Sequence, residues 1–154
     1  MTRSRDMAAS VASGQLRCGV DLVDVESFHR CLIVGDRRFL ARVYTPAELE
    51  HCGDRTERLA AHFACKEAAA KMLGTGIRGI DWQDIEVLTA AHGEPTLVFR
   101  GRARKRARTI GLQRWAISMS HDGNSAISYV VGWCSGRKSR SLRQSKVREG
   151  AHVG

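Results

Sequence analysis

The feature that most constrains this chain is an uninterrupted run of strong helix formers from Thr56 to Leu73, closed by Gly74. Such a run predicts a helix of about five turns that ends at the glycine. Four of its residues fall on one face, at spacings of four, four and three: Leu59, Phe63, Glu67 and Ala70. The apolar members mark that face as buried, where a lone carboxylate costs several kcal/mol unless it is paired, protonated or bound to a cation. Glu67 is therefore a candidate functional residue.

A second carboxylate lies in apolar surroundings near the start of the chain. Asp21 sits inside the run Gly19-Val20-Asp21-Leu22-Val23, which is typical of a buried strand. Structural roles remain open for both acids: Asp21 as a hydrogen-bonded core or strand-end residue, and Glu67 as the partner of Lys71, four residues later. Alternatively, the two carboxylates share a hard cation such as Mg²⁺, which takes one or two protein carboxylates and completes its shell with water and substrate phosphates.

The remaining pattern predicts an α+β fold with a largely antiparallel sheet packed on one long helix. Strands are predicted in five short apolar stretches: Cys18–Val25, Ile85–Leu88, Thr96–Phe99, Trp115–Ser120 and Ala126–Val131. Further helices are predicted over residues 26–43 and over residues 103–110. Another begins at Thr45-Pro46-x-Glu48, where the threonine is the N-cap and the glutamate completes a capping box.

The charge distribution predicts one globular domain, residues 17–133, between a flexible leader (1–16) and a basic, disordered tail (134–154). Of the net charge of +9, only +3 falls within residues 17–133, from 17 basic and 14 acidic side chains. The basic composition is therefore weak support for nucleic-acid binding. Five scattered cysteines without a Cys-x-x-Cys pair argue against a disulfide framework and a zinc site. With no secretory signal and no apolar run of the ~18 residues that span a membrane, we expect a cytoplasmic protein.

Two weaker motifs follow the long helix. The first, Gly74-Thr75-Gly76, is either an ordinary helix-ending turn or a phosphate-binding turn whose N–H groups act together with Lys71. The second, Ser118-Met119-Ser120-His121, ends a predicted strand. It is either a simple strand-end turn or a hydroxyl and imidazole cluster that faces a phosphate. A serine and a histidine this close in sequence do not indicate a catalytic triad, which is defined by geometry.

Taken in order, four segments resemble one family. They are Gly-Val-Asp-Leu-Val at 19–23, Phe-Ala-Cys-Lys-Glu-Ala-Ala-Ala-Lys at 63–71, Gly-Thr-Gly at 74–76 and Ser-Met-Ser-His at 118–121. Together they resemble the holo-acyl-carrier-protein synthases, the small AcpS-type 4′-phosphopantetheinyl transferases. The resemblance implies the fold of that family. It also implies transfer of 4′-phosphopantetheine from coenzyme A to a serine of an acidic apo acyl carrier protein, with Mg²⁺ as cofactor and release of adenosine 3′,5′-bisphosphate.

The resemblance also implies site residues. Asp21 and Glu67 match the Mg²⁺ ligands, and Glu67, Lys71 and His121 match groups at the reacting phosphates. The coenzyme A site is expected to include seven residues: His62, Lys71, Gly74, Thr75, Gly76, Ser118 and His121. A basic and apolar surface is expected to contact the carrier protein: Arg37, Arg38 and Phe39. Members of the family form homotrimers with active sites between neighbouring subunits, and no membrane or nucleic-acid partner is expected.

Two positions depart from the pattern. His62 stands where the family often has an arginine, and Ser27 stands where it carries an arginine on the first helix, with Arg30 as a possible substitute. A histidine is mostly neutral at pH 7, so coenzyme A binding is expected to be weaker or more dependent on pH. Two alternatives remain: a homologue that binds carrier proteins without catalysis, and a basic nucleic-acid-binding module. The second would leave Asp21 and Glu67 unexplained.

Overall fold

A computed structural model describes residues 14–135, and its helices and strands follow the predicted order. They are β1 (Gly14–Asp24), α1 (Val25–Val43), α2 (Pro46–Cys52), α3 (Thr56–Leu73), β2 (Ile85–Thr89), β3 (Pro95–Phe99), α4 (Gly101–Thr109), β4 (Leu112–Asp122) and β5 (Ser125–Ser135). Two short 3₁₀ turns, Ile77–Gly79 and Trp82–Asp84, connect α3 to β2. The predicted α+β class is confirmed.

The largest sheet is antiparallel, with strand order β1-β5-β4, and β2 and β3 form a separate antiparallel hairpin. Helix α3 lies across the inner face of the larger sheet. The inward side chains of β5 alternate regularly with outward ones, as expected for a sheet with one covered face. The outer face exposes three cross-strand apolar pairs: Leu16 with Trp133, Val20 with Tyr129, and Leu22 with Ile127.

Small side chains let α3 approach the sheet closely. Six alanines of the helix are buried: Ala60, Ala61, Ala64, Ala68, Ala69 and Ala70. On the strand side, a Cβ atom at Gly19 would overlap the carbonyl oxygen of Ala68. The glycine of the Gly-Val-Asp segment is therefore required by packing, because any side chain would push β1 away from α3. This contact places Asp21 of β1 beside the part of α3 that carries Glu67.

Capping residues set the helix boundaries. Asp24 Oδ1 accepts a hydrogen bond of 2.7 Å from the Ser27 amide and starts α1 directly after β1. The predicted capping box of α2 is confirmed: Thr45 Oγ1 accepts from the Glu48 amide, and Glu48 Oε2 accepts from the Thr45 amide. Gly74 ends α3 in the left-handed conformation with φ of 73°.

The outer strands extend beyond their predicted limits. Residues 14–16 and 134–135, assigned from the sequence to the leader and the tail, lie in β1 and β5, where Gly14 pairs with Ser135, Gln15 with Cys134 and Leu16 with Trp133. The rest of both predicted segments lies outside the described residues. Between residues 14 and 135, no helix has the length and apolar character needed to cross a membrane.

Candidate active site

The two carboxylates singled out from the sequence line one cavity. Asp21 lies on the inner face of β1 and Glu67 on α3, and both contribute to a cavity of about 430 Å³. Three aromatic residues, Phe28, Phe39 and Phe63, also line the cavity. Rings of Phe28 and Phe63 lie 5.3 Å apart, centroid to centroid. The part lined by Asp21 and Glu67, which we call the acidic end, thus shares the cavity with apolar surface, which suits a ligand with a charged group and an uncharged arm.

Electrostatics at the acidic end favour a cation. The pKa of Glu67 is raised, first because the carboxyl is partly buried and second because the Asp21 carboxylate lies close to it. Lys71 partly offsets this rise. Two like charges held together in a half-buried position are stabilised by a proton or by a positive ion between them.

Lys71 pairs across the helix–strand contact and not along the helix. Its Nζ lies 2.6 Å from Asp21 Oδ1 and donates a second hydrogen bond, of 3.0 Å, to the Val20 carbonyl. The alternative in which Lys71 pairs with Glu67 is therefore wrong. The packing of β1 on α3 brings Asp21 within reach of the lysine, and this tertiary contact outweighs the short-range pair that the spacing allows.

The glycine-rich turn is tied to the end of α3. The amides of Gly74, Thr75 and Gly76 donate to the carbonyls of Ala70 and Lys71, so these three groups are already engaged. Nearby, the hydroxyl oxygen of Thr75 is buried and has no hydrogen-bond partner among the described residues. Of the polar groups in the turn described here by their bonds, this hydroxyl is the one left without a partner.

Two arginines complete the same helix end. Arg17 Nε donates to the Met72 carbonyl at 2.8 Å, and Arg106 Nε donates to the Leu73 carbonyl at 2.9 Å. One terminal nitrogen of each guanidinium lies close to Gly74. These cations offset the negative end of the α3 dipole, which would otherwise repel a phosphate at the turn. Their role was not predicted from the sequence.

His62 and His121 share a second cavity, of about 340 Å³, which is lined by neither Asp21 nor Glu67. The ring of His62 is 3% exposed and stacks on His51 with centroids 5.7 Å apart. Ser120 lines this cavity, whereas the predicted Ser118 lies exposed on the outer face of β4. Within one chain, the structure therefore separates the histidines from the carboxylate pair.

A buried ion pair near His62 was missed by the sequence reasoning. Glu48 and Lys66 are both fully buried, and Lys66 Nζ lies 2.8 Å from Glu48 Oε2. Burial alone would raise the pKa of Glu48, but His62, Lys66 and the Thr45 amide together hold it below its ordinary value. The spacing of Leu59, Lys66 and Leu73 by seven residues, which puts the lysine on a buried stripe of α3, is the signal that could have revealed it.

The predicted carrier-contact residues lie on α1. Arg37 and Arg38 are exposed, and Phe39 is half-buried. Phe39 also lines the cavity of Asp21 and Glu67, with its ring 6.2 Å from that of Phe63. The exposed basic side chains are thus connected to the acidic cavity through one aromatic residue.

Comparison with known proteins identifies the class. The sequence profile of the 4′-phosphopantetheinyl transferase superfamily matches residues 17–144, and the chain belongs to that superfamily. A curated relative from Herpetosiphon aurantiacus, named holo-acyl-carrier-protein synthase, is 41% identical over 121 residues, which cover 74% of this chain and 95% of the relative. The AcpS-type enzyme class predicted from the sequence is confirmed.

Solved structures agree. The holo-acyl-carrier-protein synthase of Neisseria meningitidis superposes with a TM-score of 0.70 at 32% identity, covering 75% of this chain and 96% of that one. The enzyme of Helicobacter pylori, solved in complex with coenzyme A, gives a TM-score of 0.69 at 28% identity, with 75% and 98% covered. The matched regions span nearly the whole length of these proteins.

Proposed function

We propose that this chain transfers 4′-phosphopantetheine from coenzyme A to a serine hydroxyl of an apo acyl carrier protein and releases adenosine 3′,5′-bisphosphate. The observation that carries the proposal is that Asp21 and Glu67 line one cavity together with three aromatic rings, and that Lys71 pairs with Asp21. Relatives that align over most of their length are named for this activity. We also propose a cytoplasmic location, because the two proposed substrates, coenzyme A and the carrier protein, are found in that compartment.

The residues at the acidic end fit a divalent cation. Asp21 and Glu67 are hard oxygen ligands. Burial, and after it the nearby Asp21 carboxylate, raise the pKa of Glu67, and a bound cation would offset both effects. Two protein carboxylates with open positions suit Mg²⁺, which is usually completed by water and substrate phosphates. Bound between Asp21 and Glu67, Mg²⁺ would neutralise charge on the pyrophosphate of coenzyme A.

Lys71 and Glu67 would contribute directly to the transfer step. Lys71 stands beside the carboxylates, where its ammonium can contact a phosphate oxygen of coenzyme A. The carrier serine forms the new P–O bond to the phosphate that bears pantetheine, the anhydride bond breaks, and adenosine 3′,5′-bisphosphate leaves with the bond electrons. Glu67 accepts the serine proton, directly or through a water. Because an anhydride is cleaved, positioning and charge stabilisation supply most of the catalysis.

The separation of the histidine cavity from the carboxylate cavity supports assembly into a homotrimer. We propose that His121 and Ser118 of one copy act at the carboxylates of a neighbouring copy, so that the two cavities meet between subunits. The apolar pairs on the outer face of the sheet support this arrangement, because contiguous exposed apolar surface of this kind marks an interface.

The test is mass spectrometry of an apo carrier protein incubated with the purified chain, coenzyme A and Mg²⁺. The carrier is expected to gain one phosphopantetheine group, and Glu67→Gln is expected to abolish the gain. Glu50→Gln, an exposed glutamate on α2, is the matched control and should leave transfer unchanged. An unmodified mass across fatty-acid and polyketide carrier types would contradict the proposal.

A further inference from the structure

A pocket outside both cavities brings together three arginines from three separate elements. Arg42 comes from the end of α1, Arg78 from the first 3₁₀ turn and Arg102 from the first turn of α4. They line a cavity of about 290 Å³, which we call the arginine pocket. Its floor is apolar and consists of Ile77, Ile80 and Trp82.

The charges of this pocket are not balanced within the described part of the chain. None of the three arginine side chains forms an ion pair or a hydrogen bond with the side chains and backbone that the structure describes. Asp81 is the one carboxylate that lines the pocket. Arg102 is also placed against the local field, because the first turn of a helix carries partial positive charge. Such an arrangement is stabilised when a partner supplies negative charge.

The pocket is held in shape by hydrogen bonds between its elements. Gln83 Nε2 donates to the carbonyls of Ala41, at 2.6 Å, and Tyr44, at 3.0 Å, which fixes the end of α1 to the second 3₁₀ turn. The Arg102 amide donates to Asp84 Oδ2 at 2.9 Å, which fixes α4 to the same turn. These bonds hold the elements that carry Arg42 and Arg102 against one turn, on either side of the pocket.

The occupant is identified by the donors that the pocket offers. Phosphate sites commonly use backbone amides at a helix N-terminus, but here the Arg102 amide is already taken by Asp84. What remains is three separated guanidiniums around an apolar floor. Guanidiniums bind carboxylates well, and the apolar floor suits aliphatic side chains, so the pocket fits an acidic protein segment better than a free phosphate.

The arginine pocket adjoins the proposed active site. The Trp82 ring stacks on Phe63 with centroids 4.8 Å apart, and Phe63 lines the cavity of Asp21 and Glu67. Arg42 lies one helical turn after Arg38 on α1. A protein that delivers a serine to that cavity across α1 can therefore reach the pocket at the same time.

We propose that the arginine pocket is a second docking site for the carrier-protein substrate and binds a carboxylate-rich segment of it, separate from the contacts at Arg37, Arg38 and Phe39. This inference rests on the proposed function. It predicts that the pocket governs affinity for the carrier protein and leaves coenzyme A binding and the chemical step unchanged.

The test is steady-state kinetics on the full chain with Arg42→Glu, Arg78→Glu and Arg102→Glu, each with Arg→Gln as a milder version. Each charge reversal is expected to raise the KM for the carrier roughly threefold to tenfold. The kcat and the KM for coenzyme A should stay within twofold of wild type, by the same reasoning. Lys105→Glu is the matched control, because Lys105 is exposed on α4 and lines no cavity described here.

Three results would overturn the inference. The first is an unchanged KM for the carrier in the pocket variants. The second is an equal rise of that KM in Lys105→Glu, which would indicate diffuse electrostatic attraction. The third is a rise confined to the KM for coenzyme A, which would assign the pocket to the nucleotide.

Titration calorimetry with the apo carrier distinguishes a failure of the docking site from a failure of the proposed function. If the wild-type chain binds carriers without modifying them, the transfer proposal fails, and weaker binding by the pocket variants still supports the docking site. If the variants then bind as tightly as wild type, the docking site is contradicted. Circular dichroism identifies variants that do not fold.

Discussion

The partly buried position of Glu67 makes the folded protein less stable at neutral pH. Its raised pKa means that the folded state holds the proton more tightly than the unfolded chain, so folding becomes less favourable as the pH rises through the titration. We expect Glu67→Gln to stabilise the metal-free protein at pH 7 by less than ~1 kcal/mol, since solvent screens a group that is only partly buried. Thermal unfolding in a chelator measures the difference.

The stabilisation by Glu67→Gln should depend on pH. It should shrink as the pH falls and vanish below the ordinary carboxyl value of 4.5, where both states are protonated. A variant that melts below the wild type at pH 7 would contradict the interpretation that Glu67 is held for function at the expense of stability.

Lys66 is expected to be the most sensitive charged residue for folding. Lys66→Met would leave the fully buried Glu48 without its cation, and breaking such a pair costs about 3–5 kcal/mol. Urea denaturation at pH 7 measures the loss, with Lys105→Met on exposed α4 as the control. A loss below ~1 kcal/mol would mean that Glu48 is neutral or reaches water, against the lowered pKa described above.

At the level of single residues, the sequence was informative where spacing alone marks an anomaly. Glu67 stood out because it interrupts an apolar helix face, and Asp21 because it interrupts an apolar strand. The Glu48 capping box was predicted, but the second role of that carboxylate, as the partner of Lys66, depends on how α2 packs on α3. No local pattern encodes a contact between residues that far apart.

At the level of elements, the contact between β1 and α3 is the most sensitive. Gly19→Ala would place a methyl group against the Ala68 carbonyl and force the strand away, at a cost of about 1–3 kcal/mol. Asp21 lies two residues later and would move with the strand. We therefore expect the free-energy losses in Mg²⁺ binding and in transfer activity to exceed the loss in the free energy of unfolding. Calorimetric metal titration alongside thermal unfolding makes the comparison.

Gly79→Ala is the matched control for this variant, because its added Cβ would meet Thr75 at an ordinary distance of 3.5 Å. Full activity in a stable Gly19→Ala protein would show that the strand–helix distance does not matter for the site.

The order and type of the elements could be predicted because each has its own periodicity, caps or turn residues. The limits of β1 and β5 could not. Their outermost residues, Gly14 and Ser135, pair with each other across the sheet, and Ser135 also donates to the Gly111 carbonyl; no local pattern encodes these contacts. The hydrogen bonds from Arg17 and Arg106 to the end of α3 could not be predicted for the same reason, because they join residues far apart in the sequence.

At the level of the whole molecule, the outer face of the larger sheet is the proposed interface between subunits. Ile127→Asp would introduce a charge opposite Leu22, at one end of the row of exposed apolar pairs. We expect this variant to stay folded, because the side chain points outward, and to shift from trimer to monomer. Light scattering coupled to size exclusion measures the mass.

Activity should also fall at least tenfold in Ile127→Asp. A monomer lacks the His121 that a neighbouring copy is proposed to supply at the reacting phosphates, and losing one such contact has an effect of this size. Ile33→Asp, an exposed apolar residue of α1, is the control for oligomeric state. A wild-type monomer with full activity would contradict both the trimer and the shared site. The sequence could indicate an assembly only through resemblance, because the side chains that form the apolar face are contributed by separate strands.

The ammonium of Lys71, already resting on Asp21, has a consequence for how the enzyme starts its cycle. Without a metal, Lys71 is the counterion of Asp21. In the proposed site, binding of Mg²⁺ to Asp21 would release this lysine, which could then contact a phosphate oxygen of coenzyme A. Metal binding and the availability of Lys71 would therefore be coupled.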